Sequence, residues 1–96
     1  MEVIEMEYIY DEVSHEFDEN VDYKMSPEFP DCRIFHISDF NRAMYYYTEY
    51  RDVMKVLIEK IRSHCITHKS YYIIKRDILS DILENFYEEP RKTLTN

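Results

Sequence analysis

Not one of the 96 residues is glycine. Average usage is about 7 %, and glycine is the residue that takes a positive φ at no steric cost. Any left-handed backbone site in this chain must therefore fall to asparagine or aspartate, or be avoided. Two-residue hairpin turns, which favour a glycine at one of their central positions, become harder to build. The expectation is a fold of helices and open loops. The same absence removes the phosphate-cradling loop, the dinucleotide fingerprint and the nucleophile elbow, each of which depends on glycine.

The longest periodic stretch runs from Asp39 to Cys65. Phe40, Ala43, Tyr47, Tyr50, Met54, Leu57, Ile61 and His64 recur at steps of three and four, which is one side of an α-helix. Asn41, Tyr45, Thr48, Asp52, Lys55, Glu59 and Arg62 run down the other side and are almost all polar. At ~1.5 Å per residue this predicts a single rod of roughly 40 Å, with Ser38 or Asp39 as its N-cap. The pattern falters through Thr67, His68 and Lys69, and Ser70 is a second candidate cap. From Tyr71 to Tyr87 another apolar face follows, carried by Ile74, Ile78, Leu79, Ile82, Leu83 and Phe86 and ended by Pro90. A short link between two such helices implies an antiparallel helical hairpin over 39–88.

The first thirty residues read less sharply. Val3, Met6, Tyr10, Val13 and Phe17 fit a helix over Glu2–Asn20, whereas Ile4, Met6, Tyr8 and Tyr10 alternate as a strand would. The helix template holds for longer, and acids in its first turn suit the macrodipole. Pro27 and Pro30 mark a linker, and Arg33–Ile37 reads as a brief strand or an extended lead-in. The expected fold is thus one mainly α domain over 1–96, a helical hairpin with an acidic N-terminal segment over 1–30. If that segment is a strand pairing with Arg33–Ile37, the fold becomes α+β with a small N-terminal β element.

Charge divides the chain unevenly. Met1–Pro30 holds ten acids against Lys24 alone, and Asp31–Asn96 holds ten acids against eleven bases. An acidic arm before a nearly neutral body repels nucleic acid and anionic membranes and favours basic partners. Two cysteines are too few for the disulfide framework of a secreted domain. Glu2, Glu5 and Glu7 stand where a signal peptide would be basic and apolar. The expected location is intracellular and cytoplasmic, or the cytoplasm or nucleus of a host cell if the chain is viral.

Met44, Tyr46, Val53, Val56 and Ile58 lie outside the main stripe of the mid-chain helix and are apolar too. An arc wider than the ~100° that one neighbour covers implies further partners, and a two-fold homodimer is the commonest solution. Tyrosine, present ten times, is favoured at protein contacts because it buries much area at little entropic cost. The candidate partner-binding residues are Tyr45, Tyr46, Tyr50 and Val53 on the helix, with Glu5, Glu7, Asp11 and Glu12 on the arm. Tyr45 stands out because it sits on the polar stripe.

The chemistry-bearing residues form two clusters, Cys32 with His36, and His64 and Cys65 with His68. Cys32, His36, Cys65 and His68 could supply four tetrahedral zinc ligands, although the two pairs flank opposite ends of the expected rod. The competing interpretation places Cys65 in the core and the histidines at a helix C-terminus. No third group orients a Cys–His nucleophile pair, so no enzymatic activity and no cofactor is expected. The leading expectation is a small non-enzymatic protein that binds and regulates another protein. The alternatives are a metal-stabilised regulatory module, and an acidic mimic of nucleic acid that inhibits a DNA- or RNA-handling protein, as viruses and mobile elements use.

Overall fold

A computed structural model of the chain describes residues 2–46 and 50–86, with the side chains of 2–7 and of Tyr46 outside that description. Among the described residues the order is α1 (Glu2–Asn20), β1 (Lys24–Ser26), β2 (Phe29–His36), α2 (Ile37–Tyr46), α3 (Arg51–Arg62), β3 (Ile66–His68), β4 (Tyr71–Lys75) and α4 (Arg76–Asn85). The four strands form one antiparallel sheet in the order β1-β2-β4-β3. This is an α+β fold, and the helical hairpin is overturned. Glu2–Asn20 is a helix, so the strand weighed there does not form; β1, later in the 1–30 segment, pairs with β2, and β2 pairs with β4.

The single mid-chain rod is overturned as well. Tyr50, the N-cap of α3, has φ −120° and ψ 42°, which is not helical. Instead α2 and α3 pack against each other. A three-four spacing survives such a break because both helices bury their stripes in the same core. The aromatic run at Tyr45–Tyr47 also has weaker helix propensity than straight-chain residues. Neither expected cap serves, since α2 already begins at Ile37 and α4 begins at Arg76 after an extended Lys75.

The helices cover one face of the sheet. Phe35 on β2 meets Phe17 of α1 at 5.7 Å between ring centroids and Phe40 of α2 at 5.5 Å. Phe40 in turn stands edge-on to Tyr72 of β4 at 5.1 Å. Around these rings Val13, Met54, Leu57, Ile58, Ile61, Ile74 and Leu79 complete the core. Offset and edge-to-face aromatic pairs add about 0.5–1.5 kcal/mol each beyond the area they bury.

Most of the described mid-chain stripe is wrapped by its own chain: Phe40, Ala43, Met54, Leu57 and Ile61 are buried and Tyr50 is partly covered, while His64 is exposed. Of the apolar residues outside the stripe, Ile58 is buried, Met44 and Val53 are partly covered, and Val56 is left in solvent. Among the described residues of this helix pair, the large apolar side chains left in solvent are Tyr45 and Val56, 63 % and 52 % exposed.

The β3–β4 hairpin is closed by two residues without glycine. Lys69 takes a φ of 56°, the positive value among the described residues. Expectation had reserved such sites for asparagine or aspartate. For an L-residue with a Cβ the left-handed region costs about 1–2 kcal/mol, so Lys69→Gly is expected to stabilise the domain by ~1 kcal/mol. Urea unfolding followed by circular dichroism reads this, and an unchanged or lowered midpoint would contradict the strain. The β1–β2 turn avoids the problem: Pro27 and Glu28 link the strands, and the Glu28 amide donates to Ser26 Oγ at 3.2 Å.

Candidate functional site: the open face of the sheet

Strand alternation sends neighbouring side chains to opposite faces. On β2, Phe35 points into the helix-covered core, so Ile34 points away from it. Cross-strand partners share a face. Ile34 pairs with Ile73, Ile73 with Ile66, and Tyr71 with both His36 and His68. The face without helices therefore carries three aliphatic side chains, Ile34, Ile66 and Ile73, and the rings of His36, His68 and Tyr71.

This face is not flat. Ile34 and Ile73 are 7 % and 3 % exposed, yet neither belongs to the core cluster. What covers them is the β1–β2 hairpin. Lys24 pairs with Ile34 and Ser26 with Phe29, so two residue steps on β1 match five on β2, and the register shifts between them. The extra residues include Pro30, which cannot donate to a ladder. An excess on one strand bends it. As a result the Phe29 ring reaches within 6.2 Å of His68, although β4 lies between their strands in the sheet. The hairpin tip arches over the face and leaves a groove.

The groove has a volume of about 290 Å³. Ile34 and Ile73 form its floor, Phe29 and Met25 one side, and Tyr71, His68 and Lys69 the other. Lys24 Nζ donates to Tyr71 Oη at 3.1 Å and sits 4.9 Å from the centroid of that ring. Just beyond the floor, Ile66 is 59 % exposed, and Met25 on the rim is 66 % exposed. Both are large apolar side chains left in water on one face.

The partner-binding residues singled out from the sequence fall elsewhere, although His68, a metal candidate, lines the groove. Tyr45 is exposed at 63 %, whereas Tyr50 and Val53 pack partly against the core. On α1, Asp11 is exposed and Glu12 is half-buried. The side chains of Tyr46, Glu5 and Glu7 lie outside the described residues. Apart from His68, and from Ile34 in the stretch read as a brief strand or extended lead-in, sequence reasoning missed the groove residues because their segments were read as linker or helix.

The four metal candidates do not converge. His36 and His68 share the open face, each opposite Tyr71 and separated by β4. His36 Nδ1 lies 2.7 Å from Ser38 Oγ, and the ring stands edge-on to Tyr71. Cys32 sits four residues down the same strand, opposite Lys75. Cys65 follows α3, where its thiol donates to the Ile61 carbonyl at 3.3 Å. Among the described residues no three His, Cys, Asp or Glu side chains come together as a metal would need. Burial pushes the Cys65 thiol up to about 11, so at neutral pH it is protonated and a poor nucleophile.

Comparison with family models, with curated proteins and with solved structures finds no match to this chain. Among the described residues no helix is long and apolar enough to cross a membrane.

Proposed function

We propose that the protein is a non-enzymatic binding module that engages another protein through the open face of its sheet. One observation carries this reading: a sheet face that no helix covers among the described residues, with a groove over Ile34 and Ile73 and two solvent-exposed large apolar side chains, Met25 and Ile66. An antiparallel sheet normally turns a polar face to water, and apolar surface gathered in one place marks an interaction site. The binding role keeps another protein as the partner and moves the contact from the helix pair to the sheet.

The test uses two double variants of the full chain. Met25→Glu with Ile66→Glu alters the open face, and Tyr45→Glu with Val56→Glu alters the helical side. Each is immobilised and exposed to an extract of the cell the protein comes from. The expected result is a retained protein that the sheet-face variant loses and the helix-face variant keeps. Retention by both variants alike, or none by the wild type, would overturn the assignment. Sedimentation of the wild type and the sheet-face variant shows whether the bound protein is a second copy of this chain.

A further inference from the structure

Resting on that reading, we infer that the groove recognises an extended, acidic segment of the partner, with an apolar side chain seated on Ile34 and Ile73. Size narrows the occupant: the groove, about 290 Å³, is at the small end of ligand pockets. It is also too small to take the apolar stripe of a helix, which presents several anchors over two turns. One side chain of an extended chain fits it.

Charge selects the sign. The whole chain is −8, and α1 alone brings eight acids, Glu2, Glu5, Glu7, Asp11, Glu12, Glu16, Asp18 and Glu19. The groove inverts that balance: Lys24 and Lys69 line it against Glu28, with His68 beside them. Lys24 is held over the Tyr71 ring, which orients its ammonium at the rim. Lys69 stands at the tip of the β3–β4 turn. Carboxylates flanking an apolar anchor would meet these two cations while the anchor is desolvated between Phe29 and Tyr71. β3, next to the groove, is an edge strand whose three residues are all exposed, so an extended chain can approach from that side.

A polyanion of nucleic acid would meet the same cations. The aliphatic floor and the strongly acidic remainder of the molecule disfavour it, because affinity for phosphate chains grows with the number of cations they neutralise.

The probe is a fluorescein-labelled peptide of alternating glutamate and leucine, titrated with the intact protein and read by fluorescence anisotropy. Three companions accompany it: lysine in place of glutamate, serine in place of leucine, and a single-stranded oligonucleotide. The expected result is saturable binding of the acidic apolar peptide alone. Lys24→Ala combined with Lys69→Asn, asparagine being chosen because it tolerates the positive φ, should weaken that binding about tenfold and flatten its salt dependence. Equal affinity for the lysine peptide or the oligonucleotide, or an unchanged affinity in the double variant, would overturn the inference. Circular dichroism and the urea midpoint confirm that the variant is folded. Failure here leaves the wider reading intact if Met25→Glu with Ile66→Glu still abolishes partner capture, and the wider reading falls on that capture alone.

Discussion

Replacing Phe35 with alanine is expected to cost about 3–5 kcal/mol, the range for deleting a buried aromatic ring. Domains of this size hold only about 5–15 kcal/mol in all, and each kcal/mol moves the midpoint of a ~100-residue domain by about 4–8 °C. The variant should therefore melt roughly 15–30 °C lower, and at the weak end of the stability range it should be partly unfolded at room temperature. The reason is position. Phe35 is 1 % exposed and its ring touches Phe17 of α1, Phe40 of α2 and Tyr23 of the connector to β1. Removing it opens a cavity where both helices seat on the sheet, and no neighbour can collapse without abandoning another ring. Val56→Ala is the control, since Val56 is 52 % exposed and should change stability by no more than about 0.5 kcal/mol. Urea titrations of the three proteins decide it. A loss below about 1 kcal/mol for Phe35→Ala would mean that the helices do not rest on this face.

Phe35 also marks the limit of what periodicity can tell. The apolar stripes of the helices were legible because a helix that packs on one side repeats every three or four residues over many turns. Val13 and Phe17 on α1, Phe40 and Ala43 on α2, and Met54, Leu57 and Ile61 on α3 are all buried as their spacing implies. Beyond Arg33–Ile37, read as a brief strand or extended lead-in where β2 ends, the strands were not legible, for three physical reasons. β1 and β3 are three residues long, too short for alternation to show. β2 begins Phe29-Pro30-Asp31, which reads as a linker because proline cannot donate, yet a bulged stretch tolerates it. β4 is apolar on both faces, with Ile73 toward the groove and Ile74 toward the core, so it shows no alternation at all. The groove is built from these same segments, which is why no candidate drawn from the sequence as a binding residue lies in it; His68, proposed as a metal ligand, does. The missing glycines misled for a related reason. The chain closes one hairpin with proline and a serine hydroxyl and the other by accepting strain at Lys69, so hairpins were costlier here without being excluded.

The boundary between β4 and α4 gives the sharpest contrast between the two readings of Tyr71–Tyr87. As one continuous helix, Ile74 and Ile78 would share a face and matter equally, and Arg76 would lie inside its second turn. In the structure Ile74 is 1 % exposed on a strand and Ile78 is 36 % exposed on a helix. Ile74→Ala should thus cost about 2–5 kcal/mol, as buried isoleucines do, while Ile78→Ala should cost about 1 kcal/mol or less. Proline at position 76 separates the readings further. Inside a helix it removes a hydrogen bond and clashes with the preceding turn, at about 3 kcal/mol or more. At the first helical position its missing N–H is one that the helix leaves free anyway. The residue before a proline must be extended, and Lys75 already has φ −64° and ψ 136°. The ion pair that Arg76 would lose, 3.8 Å from Asp77 and largely exposed, contributes little. Arg76→Pro is therefore expected to fold with a urea midpoint close to that of the wild type, and a variant that fails to fold would place Arg76 within a helix rather than at its start.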